Sequence, residues 1–424
     1  MMTTEGMTIE HANSMPAPTW SWLKMNDRRI EIPAGLETTG RVEIEVEGDL
    51  DEGSEGFDAA VASLQARLSA PRDPESGADG RAVAIAATGD DNGAEDLDVP
   101  ALSSYERAAV LSELSRDIAA DFETGTGIAV RKALQNMSGA RTLLATRPRG
   151  RASATVRVGA EAGSATVADI DLVAAADSEL AVSILIESDH DARSLAASTL
   201  RAYAGPRSHI DLTVHLIAGS QTIAIDDEGL VLDEDASIDI RHVVLSGSLT
   251  TTGLAADLRG DGARIGIDTR YLARGEEERD FNYIIRHRGR RTVSDMDANG
   301  VLAGTARKCL RGTIDLVHGC KGAEGSEQET VLLASKGVDN KTIPTILCDE
   351  DDVAGNHGAT IGHVRPEQLF YAACRGLSQE QTESLFMRAK LEDAFMAAPD
   401  ARVREAVSRL ATSLIPDFEE EIAC

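Results

Sequence analysis

The chain has 424 residues, 42% of them hydrophobic and 27% charged, enough for two or three structural units around a large core. Aromatic residues make up only 3%, so that core must rest on Ala, Val, Leu and Ile. A formal net charge of -29 repels phosphate backbones and anionic lipid, which argues against nucleic-acid and membrane-surface partners.

Residues 1–127 read as a partly helical N-terminal region. Its first twenty residues carry neither a basic start nor an apolar signal core, and no apolar run in the chain reaches membrane-helix length. A cytoplasmic protein is therefore expected. Trp20, Trp22 and Leu23 can anchor a mostly polar segment to the main body. A helix is predicted over 57–69, followed by a flexible insertion near 70–100, rich in Pro, Gly, Asp and Glu. The next helix begins at Ser103 with Glu106 completing a capping box, places Ala109, Val110, Leu114 and Ile118 on one face, and ends at Gly125 and Gly127.

From 128 to 363 the texture becomes short apolar/polar alternations separated by Gly, Asp and Asn, such as ATVRVGA, HIDLTVHLI, GTIDLVH and TIPTILC. This predicts strands with one buried face. No segment of crossover-helix length separates them, which disfavours a doubly wound sheet. A β-sandwich and a β-helix with coils of uneven length both remain open on this pattern alone.

After Val364 the pattern turns helical, giving a C-terminal helical domain over 364–424. Pro366 suits a helix first turn and Gly376 its end, and Ser378 with Gln381 forms a second capping box. That helix is predicted to run to about Ala398, before Pro399. Val403, Val407, Leu410 and Leu414 share one face of a third helix. Asp417, Glu419, Glu420 and Glu421 read as a solvated acidic tail.

The segment 343–377 is the most specific in the chain. It holds Asp351, Asp352, Val353, His357, Gly358, Ala359, Thr360 and Gly362, then Gln368, Leu369, Phe370, Tyr371, Arg375 and Gly376. In that order these residues resemble the C-terminal core of the SufB/SufD family, whose members are scaffolds for iron–sulfur cluster assembly. The resemblance is good over about 200–395 and looser elsewhere, and Trp20, Trp22, Leu23 and Lys24 fit an entry segment common in the family. It implies a right-handed parallel β-helix (β-solenoid) core flanked by N-terminal and C-terminal helical regions. SufB-type members carry a cysteine at the start of the strand that here reads Glu329 to Leu333, and His-Glu-Ala where this chain has His357-Gly358-Ala359. The chain is therefore identified as SufD-like.

Two residues are candidate metal ligands. A neutral imidazole is a good ligand for iron, and on the resemblance His357 is the histidine implicated in cluster assembly at the junction with SufB. The competing expectation is a structural histidine closing the last coil. Cys348 shares a strand face with Ile346 and lies across an acidic turn, 349–352, from His357. Thiolate is the preferred donor to iron–sulfur centres, but a buried thiol beside carboxylates resists ionisation. The five cysteines, Cys309, Cys320, Cys348, Cys374 and Cys424, form no C-x-x-C pair and read as reduced thiols. Packing is expected for Cys309 and Cys374, mobility for Cys424, and Cys320 with His318 is too little for a metal site.

No P-loop, nucleophile elbow or H-E-x-x-H motif is present, and no enzymatic activity is expected. The basic run Arg286 to Arg291 reads as a solvated edge in preference to a docking patch. The resemblance implies a SufB-like partner at the last β-helix strands and a SufC-type ATPase at the C-terminal helices, through Phe370, Tyr371, Arg375 and Gly376. One of the two adjacent aromatics is expected to point inward. The resemblance further implies a transient iron–sulfur cluster shared at a subunit interface. A homodimer in the absence of the partner and a flavin within the complex are further expectations to which no residue is assigned. The alternatives are a structural adaptor that never touches metal, and a β-solenoid carbohydrate-active enzyme, against which the low aromatic content and free thiols count.

Overall fold

The computed structural model describes residues 3–19, 24–38, 42–48, 122–139, 141–415 and 418. The expected elements at Trp20 to Leu23, 57–69, 70–100 and 103–118, together with Asp417, 419–421 and Cys424, lie outside these residues.

The core is a parallel β-solenoid whose successive strands alternate between two sheets. One sheet is built, in space, from β4 (Val42–Gly48), β6 (Arg151–Gly159), β8 (Glu179–Glu187), β10 (His209–Ile217), β12 (Ser237–Ser246), β14 (Arg264–Ala273), β16 (Val293–Leu302), β18 (Glu324–Leu333) and β20 (Ala354–His363). The other is built from β3 (Glu37–Thr38), β7 (Ser164–Ala174), β9 (Ser194–Ala204), β11 (Thr222–Leu232), β13 (Leu249–Leu258), β15 (Glu278–His287), β17 (Arg307–Leu316) and β19 (Asp339–Cys348), with β5 (Arg141–Ala145) also paired to β7. All ladders in the two sheets are parallel except β4 on β6.

Side chains stacked on neighbouring coils are 27 residues apart at Arg241–Asp268, 28 at Ser198–Asp226, 30 at Tyr203–Asp233 and 31 at Arg311–Asp280. This uneven period is why no strict repeat is visible in the sequence. One corner of the coil demands a left-handed residue each time, supplied in succession by Asp177, Arg207, Asp235, Gly262, Arg291 and Gly322. A short polar residue or glycine is the cheapest occupant of that conformation.

Alternate residues fill the solenoid with Ala, Val, Leu and Ile, for example Val156, Ile184, Leu212, Ile240, Leu254 and Ile314. Both outer faces are also covered along much of the core. A hairpin of β1 (Met7–Ala12) and β2 (Arg28–Ile32) and helix α1 (Ile128–Met137) set Ile9, Ile30, Val130 and Leu134 against Val167, Leu195 and Ile225. Expecting strands from residue 128 is thus corrected: Ile128–Met137 is helical, with Val130, Ala133 and Leu134 buried at helical spacing.

On the opposite face lie α3 (Gln379–Met396) and α4 (Ala401–Leu414), which follow α2 (Pro366–Cys374). Leu391, Val403 and Val407 pack against Leu185, Ile217, Val243 and Leu272. Their starts agree with the sequence signals: Pro366 opens α2, Ser378 and Gln381 form the capping box of α3, and Asp400 caps α4 by accepting from the Val403 N–H at 2.9 Å.

Candidate functional site

The last coil has nothing over it among the described residues. β20 is hydrogen-bonded only to β18 and β19 only to β17, so each leaves one backbone edge unpaired. Pro344 sits in β19 as an edge strand allows. Most of β20 is exposed, and its ten residues include no Asp, Glu, Lys or Arg. The other terminal strand differs: β4 reads Val-Glu-Ile-Glu-Val-Glu-Gly, and Arg402 from α4 pairs with Glu43 and Glu45. Charge of that kind blunts a sheet edge.

Register places the two candidate ligands. His357 lies beside Glu327 and Cys348 beside Leu316, and both neighbours point into the solenoid. In-register parallel neighbours share a face, so His357 and Cys348 both occupy inner-face positions of the open coil. Ile361, on the same face of β20, is 52% exposed for lack of a further coil. The Cys348 thiol is exposed and donates to the Glu350 carbonyl at 3.2 Å. His357 and Cys348 sit on opposite sheets, and neither belongs to a three-ligand cluster among the described residues.

Directly beneath this coil is a buried polar layer that the sequence analysis did not identify. Lys308 Nζ lies 2.5 Å from Glu329 Oε1, which also accepts from the Tyr271 hydroxyl at 2.8 Å. Glu329 Oε2 accepts from Thr342 at 2.5 Å. Glu327 has neither oxygen hydrogen-bonded, and it lines a small cavity with Thr269, Tyr283 and Met296. Burial, reinforced by the charge on Glu329, pushes the Glu327 carboxyl up to about 7, with Lys308 opposing. Burial also lowers the pKa of Lys308, while Glu329 raises it. Gly312 makes room for this layer, since a Cβ there would stand 2.2 Å from Glu327 Oε1. The available signal was that Glu327 and Glu329 alternate in step with Val331, an inner-face residue.

The remaining thiols divide by depth. Cys320 is buried, and burial with the Glu350 charge pushes its thiol up to about 11. Its neighbour His318 points outward, 3.8 Å from Glu350, so the pair does not converge. Cys309 is half-buried and pushed up to about 11 by burial. Packing was expected for Cys374, but its thiol is exposed.

α2 corrects the expectation of one inward aromatic. Phe370 is 72% exposed and Tyr371 61%, because this nine-residue helix buries only Ala372. The Arg375 guanidinium lies 5.2 Å from the Tyr371 ring centroid, a cation–π contact, and Gly376 ends the helix at φ 87°. The basic run is largely neutralised within the chain: Arg286 pairs with Asp315 and Glu123, Arg288 with Asp257, and His287 is buried against Thr292 and Ser294. Among the described residues no helix is long and apolar enough to cross a membrane.

A family model described as "SUF system FeS cluster assembly, SufBD core domain" matches residues 156–390. The iron–sulfur cluster assembly protein SufD of Bacillus subtilis is 28% identical over 169 residues, 40% of this chain and 39% of that protein. SufD of Escherichia coli is 24% identical over 178 residues, 42% of each chain. An iron–sulfur cluster assembly SufBD family protein of Arabidopsis thaliana, described as chloroplastic, is 23% identical over 220 residues, 50% of this chain and 39% of that protein. The matched regions thus span about two fifths of these relatives' lengths.

Proposed function

Because the chain belongs to the SufB/SufD family of iron–sulfur cluster assembly proteins, as a SufD-like member, we propose that it is a scaffold subunit of a SUF assembly complex and not itself an enzyme. The observation that carries the reading is the open coil. An exposed ten-residue edge free of Asp, Glu, Lys and Arg is suited to strand addition by a second solenoid, here a SufB-like subunit. Such a junction would cover His357, Cys348 and Ile361 with the partner's last coil. Iron and sulfide are then the cargo, and a cluster forms transiently between donors from both subunits. His357 offers an imidazole and Cys348 a solvent-accessible thiol, a donor pair suited to iron.

A SufC-type ATPase is the proposed partner of α2 and the start of α3. Phe370 and Tyr371 stand in solvent next to Arg375, and exposed aromatics with arginine are the side chains that most often anchor an interface. We place the assembly in the cytoplasm.

Co-expression with a SufB-like and a SufC-type protein, followed by anaerobic purification, tests this. Iron, sulfide and the visible spectrum are measured for wild type, His357→Ala and Cys348→Ala. The expected result is an intact complex in each case, with cluster absorption reduced in at least His357→Ala. Equal cluster content in all three would make the chain a structural adaptor without metal contact. Absence of both partners from the purified material would overturn the scaffold reading.

A further inference from the structure

Deep in the solenoid, far from the open coil in sequence, three ionisable side chains converge. Asp226 and Glu228 point inward from β11, and His242 points inward from β12, each with no exposed surface. Their ligand-type atoms all lie within 4.8 Å of one another, and this is the one such group of three among the described residues. His242 Nε2 is 3.1 Å from Glu228 Oε1 and 3.6 Å from Asp226 Oδ2.

The atoms facing away from this point are already held. Ser198 donates to Asp226 Oδ1 at 2.8 Å, leaving Oδ2 without a hydrogen-bond partner. The Tyr283 hydroxyl lies 3.2 Å from His242 Nδ1, and is itself 2.9 Å from Thr269 Oγ1. The Nε2 edge, hydrogen-bonded to Glu228 Oε1, faces the two carboxylates, and an ion bound there would take the place of that proton, with Nδ1 then donating to the Tyr283 hydroxyl. A second atom of Glu228, Oε2, is also unpartnered. Two fully buried carboxyls with unpaired oxygens, opposite an imidazole nitrogen, call for a shared proton or a bound cation between them.

We propose that Asp226, Glu228 and His242 bind a divalent first-row transition cation inside the solenoid. Two carboxylates, a neutral imidazole and a dication sum to no net charge, which suits a site closed to water. Metal–ligand bonds of about 2.0–2.2 Å bring ligand atoms roughly 3.0–3.5 Å apart, close to the separations of the imidazole nitrogen from the two carboxylates. Tyr283 and Ser198 orient the ligands from behind, as outer-shell groups do in metal sites. The donor set is nitrogen and oxygen only, which suits zinc, iron(II), manganese or cobalt and sets it apart from the thiolate chemistry of cluster assembly. Since the ligands come from consecutive strands of the two facing sheets, the ion would enter as these coils close and would tie β11 to β12 across the solenoid interior.

Cobalt(II) is the probe. The full chain is unfolded, stripped of metal with a chelator, and refolded with cobalt(II), alongside an Asp226→Asn, Glu228→Gln double variant. The wild type is expected to take up one equivalent that survives chelator in the folded state and is released on unfolding. Its visible d–d bands should lack a thiolate charge-transfer band, and its X-ray absorption fine structure should show a nitrogen and oxygen shell with one imidazole. The double variant should lose that equivalent. No chelator-resistant cobalt in the wild type, or the same equivalent in a folded double variant, would overturn the site in favour of carboxylates that share protons. Should the double variant not fold, a sulfur-containing shell in the wild type would overturn it equally.

Discussion

Replacing Glu327 with glutamine should make the protein more stable at pH 8 than the wild type, relative to pH 5. The carboxyl is held at about 7 in the fold against an ordinary value of 4.5. Between those values the folded chain keeps a proton that the unfolded chain releases. Stability from protonated Glu327 is therefore fully present below the unfolded value and is lost as pH rises through about 7. At about 1.4 kcal/mol per pH unit, the loss approaches roughly 3 kcal/mol by pH 8. Glutamine cannot titrate, so this part of the pH dependence disappears. With about 2–4 °C in Tm per kcal/mol for sizeable domains, the gap between the two Tm curves should change by several degrees between pH 5 and pH 8. Thermal unfolding followed by circular dichroism reads it directly. Parallel Tm curves across that range would mean that Glu327 is ionised as in water and that the buried layer is not as tight as its geometry.

The same layer predicts that Lys308→Met costs about 3–5 kcal/mol, by leaving Glu329 and Glu327 buried with no cation, and that adding Glu329→Gln recovers most of it; chemical denaturation of the single and double variants checks this. Phe370→Ser with Tyr371→Ser should leave Tm unchanged, both rings being exposed, yet weaken binding of a SufC-type ATPase at least tenfold in calorimetry. Leu391→Ala, at a site with no exposed surface between α3 and the sheet, should cost about 2–5 kcal/mol and open the C-terminal helices to limited proteolysis.

Much of this architecture was legible because its signals are local. Alternation in HIDLTVHLI and GTIDLVH marks strands, Ser378 with Gln381 marks the start of α3, and the order of residues 351–376 pointed to the family. What escaped depends on contacts distant in sequence. β9 is buried at all eleven positions because α1 and the hairpin cover its outer face, and nothing within SLAASTLRAYA announces that cover. Glu327, Glu329, Asp226 and Glu228 sit where alternation puts core residues, but acidic side chains invite the opposite assignment. Phe370 and Tyr371 mislead in the other direction, since aromatic character suggests burial that so short a helix does not provide. Arg286 and Arg288 read as a free basic edge because their carboxylate partners, among them Asp257 and Asp315, lie a coil away.

The two ends of the solenoid are unlike, and that has a consequence for assembly. A stack in which every copy offered its bare β20 edge to the first strand of the next would propagate as a fibre. Here the receiving strand β4 is antiparallel to its neighbour and lined with Glu43, Glu45 and Glu47. Head-to-tail addition is discouraged, and the bare edge is left to seek another bare edge. Contacts of that type close on themselves after two members, so the proposed junction predicts a discrete pair and not an open filament.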